Sequence, residues 1–316
     1  MTTRAPSRAS STAVSLPIPV LPPVITTVLL RIGWPLAFER SSTTGSMPSQ
    51  TGGVCHGPFT LRRVSSSAAE RPHFLYHLGL QPGRALDEGA EKALDIRDDL
   101  LSPAGVVLAG PLLTLADHAG GVAAALTAGK VLATSDLAWR RGPIAHPTRV
   151  SAFAVVLRAG RTTVVSEITL VDEHESPVAH AVMTSQMLSV DRPRGAYAAV
   201  TTPVAPLHEH CGITTSAGSN RTGTAEVVFR DDLRNGIGIL HGGVIATVVE
   251  AAVLAASGDE RAVLTDLDLR FLAPGRIGPV RAEATSPTAN VWRTEVRDLG
   301  QAGRLITLAT ARTGIA

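Results

Sequence analysis

Beyond residue 70, two rhythms of apolar and polar positions each occur twice along the chain. Residues 111–128 (PLLTLADHAGGVAAALTA) and 242–257 (GGVIATVVEAAVLAAS) are apolar almost all the way round a helical wheel. That pattern predicts helices buried on every side rather than lying on a surface, and their Ala and Gly content lets a sheet approach closely. Four segments of alternating apolar and polar residues follow each helix. They are 131–140, 148–158, 162–171 and 178–188 after the first, and 262–272, 278–286, 291–299 and 304–313 after the second. Alternation marks antiparallel strands with one wet face, and short turns such as RAGR and DEHESP predict hairpins. A further strand-like run precedes each helix, at 91–100 and 222–233. The predicted class is α+β, a long buried helix wrapped by an antiparallel sheet, present twice.

Self-comparison supports the duplication. Arg97-Asp98-Asp99-Leu100 recurs as Arg230-Asp231-Asp232-Leu233, and the offset of 133 residues persists for more than twenty positions. It pairs Gly105 with Gly238, Gly110 with Gly243, Thr114 with Thr247, Asp117 with Glu250 and Ala119 with Ala252. Four matching residues alone could be accidental; glycines, a threonine and a carboxylate at preserved spacing are far harder to produce by chance. The predicted organisation is an N-terminal extension at 1–72, a first domain at 73–190, a linker at 191–206 with three prolines, and a second domain at 207–316.

At 316 residues the chain is long enough for two domains with separate cores. With 44% hydrophobic but only 3% aromatic residues, those cores must be built from Ala, Val, Leu and Ile. A net charge of +2 and no Lys/Arg block argue against a nucleic-acid partner. The two cysteines, Cys55 and Cys211, give neither a disulfide framework nor metal-ligand spacing, and fit a reducing cytoplasm. The Ser-, Thr-, Pro- and Arg-rich extension contains an uncharged stretch at 10–30, but four prolines in it oppose the helix of a signal peptide or membrane anchor. The extension reads as disordered, and no stable membrane insertion is expected.

The second copy contains Asn235, then His241-Gly242-Gly243 after five intervening residues, then Glu250 nine residues beyond the histidine. This pattern resembles the hotdog acyl-CoA thioesterases of the PaaI-like, phenylacetate-degradation type, over roughly residues 74–316. The resemblance implies two tandem hotdog domains, an acyl-CoA substrate, and no cofactor beyond the substrate's own CoA. It also implies that Gly242 supplies the key N–H, that Asn235 positions water or the carbonyl, and that His241 braces the loop. Gly243 is expected to contact the substrate. The physics agrees. N–H groups at a helix start lack intrahelical acceptors, glycine admits an acyl group close to them, and together with the helix dipole they can stabilise an oxyanion. Loss of one such donor costs about 3 kcal/mol in hydrolases generally.

Asp117 and Glu250 stand in otherwise apolar helices, where an unpaired charge is costly. Each is a candidate general base or nucleophile; the bland alternative is a carboxylate capping a neighbouring strand or facing a solvent-filled seam. In the resembled family one site draws on two hotdog units. The first copy has Ser102, Leu108 and Ala109 where the second has Asn235, His241 and Gly242. One site would therefore join Asn235, His241 and Gly242 to Asp117, while its counterpart around Glu250 lacks the polarising groups. Thr134 or Ser135 could hold the attacking water. His118 is expected to point away from Asp117, and Arg140, Arg141, Arg270 and Arg276 are either CoA-phosphate contacts or ordinary solvated strand ends.

Three functions compete: acyl-CoA hydrolysis, non-catalytic acyl-CoA binding or sensing, and enoyl-thioester hydration. The last lacks the Asp–His loop pair that hydratases of this fold present. A homodimer of double hotdogs is compatible with the exposed helix or sheet faces expected.

Overall fold

The computed structural model describes residues 72–86, 89–189 and 205–316. All but residue 72 of the expected extension at 1–72, and most of the expected linker, lie outside the described residues. The first half begins with a short helix, α1 (Phe74–Leu78), and strands β1 (Arg84–Leu86) and β2 (Gly89–Asp95). The long helix α2 (Ala109–Ala128) comes next, then β3 (Leu132–Arg141), β4 (Arg149–Ala159), β5 (Thr163–Asp172) and β6 (Pro177–Met187). The second half repeats this order as α3 (Leu207–Cys211), β7 (Thr214–Ala217), β8 (Thr222–Val227), α4 (Gly242–Ser257), β9 (Ala262–Phe271), β10 (Val280–Thr288), β11 (Val291–Asp298) and β12 (Arg304–Ile315).

The twelve strands of the described residues form one sheet in the order β1-β2-β4-β5-β6-β3-β9-β12-β11-β10-β8-β7. Read from either edge, the halves give the same sequence of equivalent strands, meeting where β3 pairs with β9. There Arg140 lies opposite Asp266 and Asp136 opposite Arg270. Both pairs are ion pairs, at 3.1 Å and 3.2 Å. Arg140 also reaches Asp268. Arg140 and Arg270 are thus held on a wet sheet face, the plainer of the two expectations for them.

The core is aliphatic, as the composition requires; Trp139, Trp292 and Phe74 are its large buried aromatics. Leucines, valines and alanines of both long helices and of the inward strand faces supply most of the rest. The helices end at Gly129 and Gly258, both left-handed, the conformation glycine adopts without a Cβ penalty. They touch near their N-termini. A Cβ on Gly110 would stand 2.7 Å from Thr247 Oγ1, and one on Gly243 would stand 2.2 Å from Thr114 Oγ1. The repeated Gly and Thr are therefore a packing device: only glycine allows this approach.

The recurring Arg-Asp-Asp-Leu also has a structural job. Arg97 donates to the carbonyls of His77 and Leu78 at the end of α1, and Arg230 donates to those of His210 and Cys211 at the end of α3. Each arginine is held by the second aspartate of its own motif, Asp99 or Asp232. Asp99 additionally accepts from the N–H of Leu207 in the other half. The buried rings of His77 and His210 stack at 3.7 Å between the two short helices. No helix among the described residues is long and apolar enough to cross a membrane.

Candidate functional site

The loop before α4 is closed by Asn235. Its Oδ1 accepts from the N–H groups of Ile237 and Ile239, at 3.1 Å and 3.3 Å. In the first half Ser102 Oγ accepts from Val106 N–H at 3.3 Å in the same way. Both residues are turn formers, so the Asn235 carbonyl oxygen is committed to its own loop and only its amide NH2 remains for other contacts.

His241 is the N-cap of α4, and its Nδ1 accepts from Gly243 N–H at 3.0 Å. That bond leaves the ring proton on Nε2. The ring is buried beside Phe74, with centroids 5.3 Å apart, and burial, followed by the nearby His118 and His73, lowers its pKa to about 3. His241 is thus a neutral brace for the helix start. Gly243 sits in the helix–helix contact with its N–H engaged, rather than at an open surface. Gly242, the first helical residue, stays half-buried and has no acceptor within the helix.

Asp117 comes to this point from the other half. A Cβ placed on Gly242 would lie 3.4 Å from Asp117 Oδ2 and 3.5 Å from Phe271 Cζ. The other carboxylate oxygen, Oδ1, accepts from Thr134 Oγ1 at 2.6 Å. A bulge in β3 between Thr134 and Asp136 turns Thr134 toward the helix. Ser135, the extra residue, instead donates to the Thr184 carbonyl on β6. Desolvation raises the Asp117 pKa above its usual value, and the Thr134 hydroxyl opposes that shift. His118 is half-buried; its Nδ1 has no partner among the described residues, and burial lowers its pKa to about 4.

Glu250 is placed elsewhere. Its Oε1 accepts from Ala109 N–H and its Oε2 from Gly110 N–H, both at 2.7 Å, so it caps α2 from the opposite repeat. Leu108, the N-cap residue there, has no side-chain oxygen to do so. Glu250 is 1% and Ala109 0% exposed, and the half-site is sealed. Burial raises the Glu250 pKa, while the two N–H groups and nearby Arg141 oppose the rise. Arg141 fills the corner, donating to the carbonyls of Leu264 and Val107 at 2.7 Å and 2.8 Å. It is therefore no solvated strand end.

The structure brings together Asp117, Thr134, His241 and Gly242, with Asn235 holding the loop; Glu250 and Ser135 lie outside this cluster. Counted along β3 and β9, whose bulges coincide, Leu264 stands where Thr134 does and Arg141 where Phe271 does. Neither Phe271 nor Phe74 stands out in the sequence; only strand-by-strand alignment of the halves could flag Phe271.

The description Thioesterase superfamily fits two segments of the chain, 104–179 and 237–286. These contain Asp117 with Thr134 and His241 with Gly242 and Glu250; Asn235 falls just outside. No curated protein matches. Among solved structures, the tesB protein of Mycobacterium avium subs paratuberculosis is 12% identical, with 77% of this chain and 98% of that one covered and a TM-score of 0.55. An acyl-ACP thioesterase from Bacteroides thetaiotaomicron is 11% identical, with 71% and 97% covered and a TM-score of 0.50. The chain thus shares the hotdog fold of solved thioesterases and carries, in each half, a segment similar to the Thioesterase superfamily.

Proposed function

We propose that this protein is an acyl-CoA thioesterase of two tandem hotdog domains with a single composite site, in which Asp117 of the first domain faces the Gly242 N–H of the second. The observation that carries this reading is the approach of the Asp117 carboxylate to Gly242 at the start of α4, with Thr134 on its other oxygen. The thioester carbonyl oxygen would take the Gly242 N–H, where the helix dipole adds positive potential. Asp117 would remove a proton from a water held with Thr134 as the water oxygen attacks the carbonyl carbon. Collapse of the tetrahedral oxyanion breaks the C–S bond, and the thiolate takes the proton back from Asp117, giving a free acid and CoA. Neutral His241 keeps the N–H groups in register and exchanges no proton.

The half-site around Glu250 has a carboxylate but not the rest of this machinery: its N–H groups are capped, its hydroxyl position is Leu264, and Arg141 occupies the corner. Thiol release from a panel of acyl-CoA esters tests the reading. Turnover of at least one ester is expected; tight binding of several with no thiol released would overturn it in favour of an acyl-CoA sensor.

A further inference from the structure

We infer that the length of the helix carboxylate decides which half-site is open: Glu250 plugs the first helix start from within, and Asp117, one methylene shorter, leaves the second free. The inference rests on the hydrolase reading for what the open half does, but the plug itself is a matter of geometry.

Glu250 and Asp117 occupy equivalent positions on α4 and α2. From that position Glu250 spans the gap between the helices and takes both Ala109 N–H and Gly110 N–H at 2.7 Å. A carboxylate bonded to two backbone donors is what a free acid would offer such a site, and here the chain supplies it. Asp117 falls short of the equivalent bonds. Its oxygens turn to Thr134 and to the space beside Gly242, and Gly243 N–H is taken by the His241 ring. The first half also carries the Ala109 methyl where the second has Gly242, and Arg141 is bonded to the Leu264 and Val107 carbonyls at the strand position of Phe271. Arg141 offsets the Glu250 charge, while Phe271 at the same strand position in the other half offers none. Glu250 is therefore a residue that closes one site and fixes the helix carrying Asp117, not a catalytic group.

Asp117→Glu tests this directly, because a glutamate remains a competent base while gaining reach. The expected result is a fall in kcat of about 100-fold or more, the scale of a lost general base, together with a rise in Tm of about 2–4 °C from capping the Gly242 N–H. A rate within tenfold of wild type, or a lowered Tm in a folded protein, would overturn the inference. The converse variant, Glu250→Asp, reads the plug without any activity. Backbone amide exchange over the first turn of α2 should become faster than in wild type, whereas unchanged protection would refute the plug. If the wild-type chain hydrolyses no acyl-CoA, the hydrolase reading fails, while the Tm and exchange measurements still decide the plug.

Discussion

At the scale of single residues, adjacent glycines separate into different roles. The position of a Cβ on Gly242 is in ordinary contact with its neighbours, the nearest being Asp117 Oδ2 at 3.4 Å, whereas one on Gly243 would strike Thr114 Oγ1 at 2.2 Å. Gly242→Ala should therefore keep its folding stability within about 0.5 kcal/mol yet lose activity, because the methyl fills the space beside the base. Gly243→Ala should lose about 1–3 kcal/mol through overpacking. Paired denaturant melts and thiol-release assays check both; a Gly242→Ala enzyme with full activity would remove Gly242 from the proposed site. Asp117 adds a pH signature. Burial holds its pKa above the usual value, so kcat/KM should fall on acidification through a pKa higher than that of a free aspartate. Because the folded-state pKa is raised, ionisation at neutral pH costs stability. Asp117→Asn should then raise Tm at pH 7, and the gain should shrink as pH falls toward and below the ordinary aspartate value. A constant difference in Tm across that range would contradict the assigned environment.

At the scale of elements, much is legible in the amino-acid sequence. The period of apolar positions locates both long helices and the eight strands that follow them, with ends shifted by a few residues at most. The His-Gly-Gly run marks a helix start because its glycines and N-cap sit where a loop must meet that helix. The short helices α1 and α3 and the short edge strands β1 and β7 escape, since a few residues carry no period. The repeat alignment slips after the first helix for a visible reason: α2 has 20 residues and α4 has 16. That extra turn hides the equivalences of Thr134 with Leu264 and of Phe271 with Arg141. The Arg-Asp-Asp-Leu motif is conspicuous as a repeat marker, but its function, an arginine tying off the preceding short helix, depends on contacts about twenty residues back that sequence spacing does not reveal. Glu250 is a candidate for chemistry on the sound ground that buried carboxylates need partners; its partners are the N–H groups of α2, which makes it a cap on a neighbouring element.

At the scale of the whole molecule, duplication provides a pair of equivalent half-sites, and divergence makes them different. The β3–β9 junction and the packing of α2 on α4 bring the start of each helix to the carboxylate of the other, so each proposed site would draw on both halves. On the proposed reading Thr134, Gly242 and the short Asp117 would leave one crossing open, while Leu264, Arg141, Ala109 and the long Glu250 would close the other. The most direct test is the rate of thiol release from a cleaved acyl-CoA by wild type, Asp117→Asn and Glu250→Gln, each shown to be folded at the assay temperature. The account predicts a loss of about 100-fold or more for Asp117→Asn and a Glu250→Gln rate within about tenfold of wild type. Full activity in Asp117→Asn, alongside an inactive but folded Glu250→Gln, would contradict it.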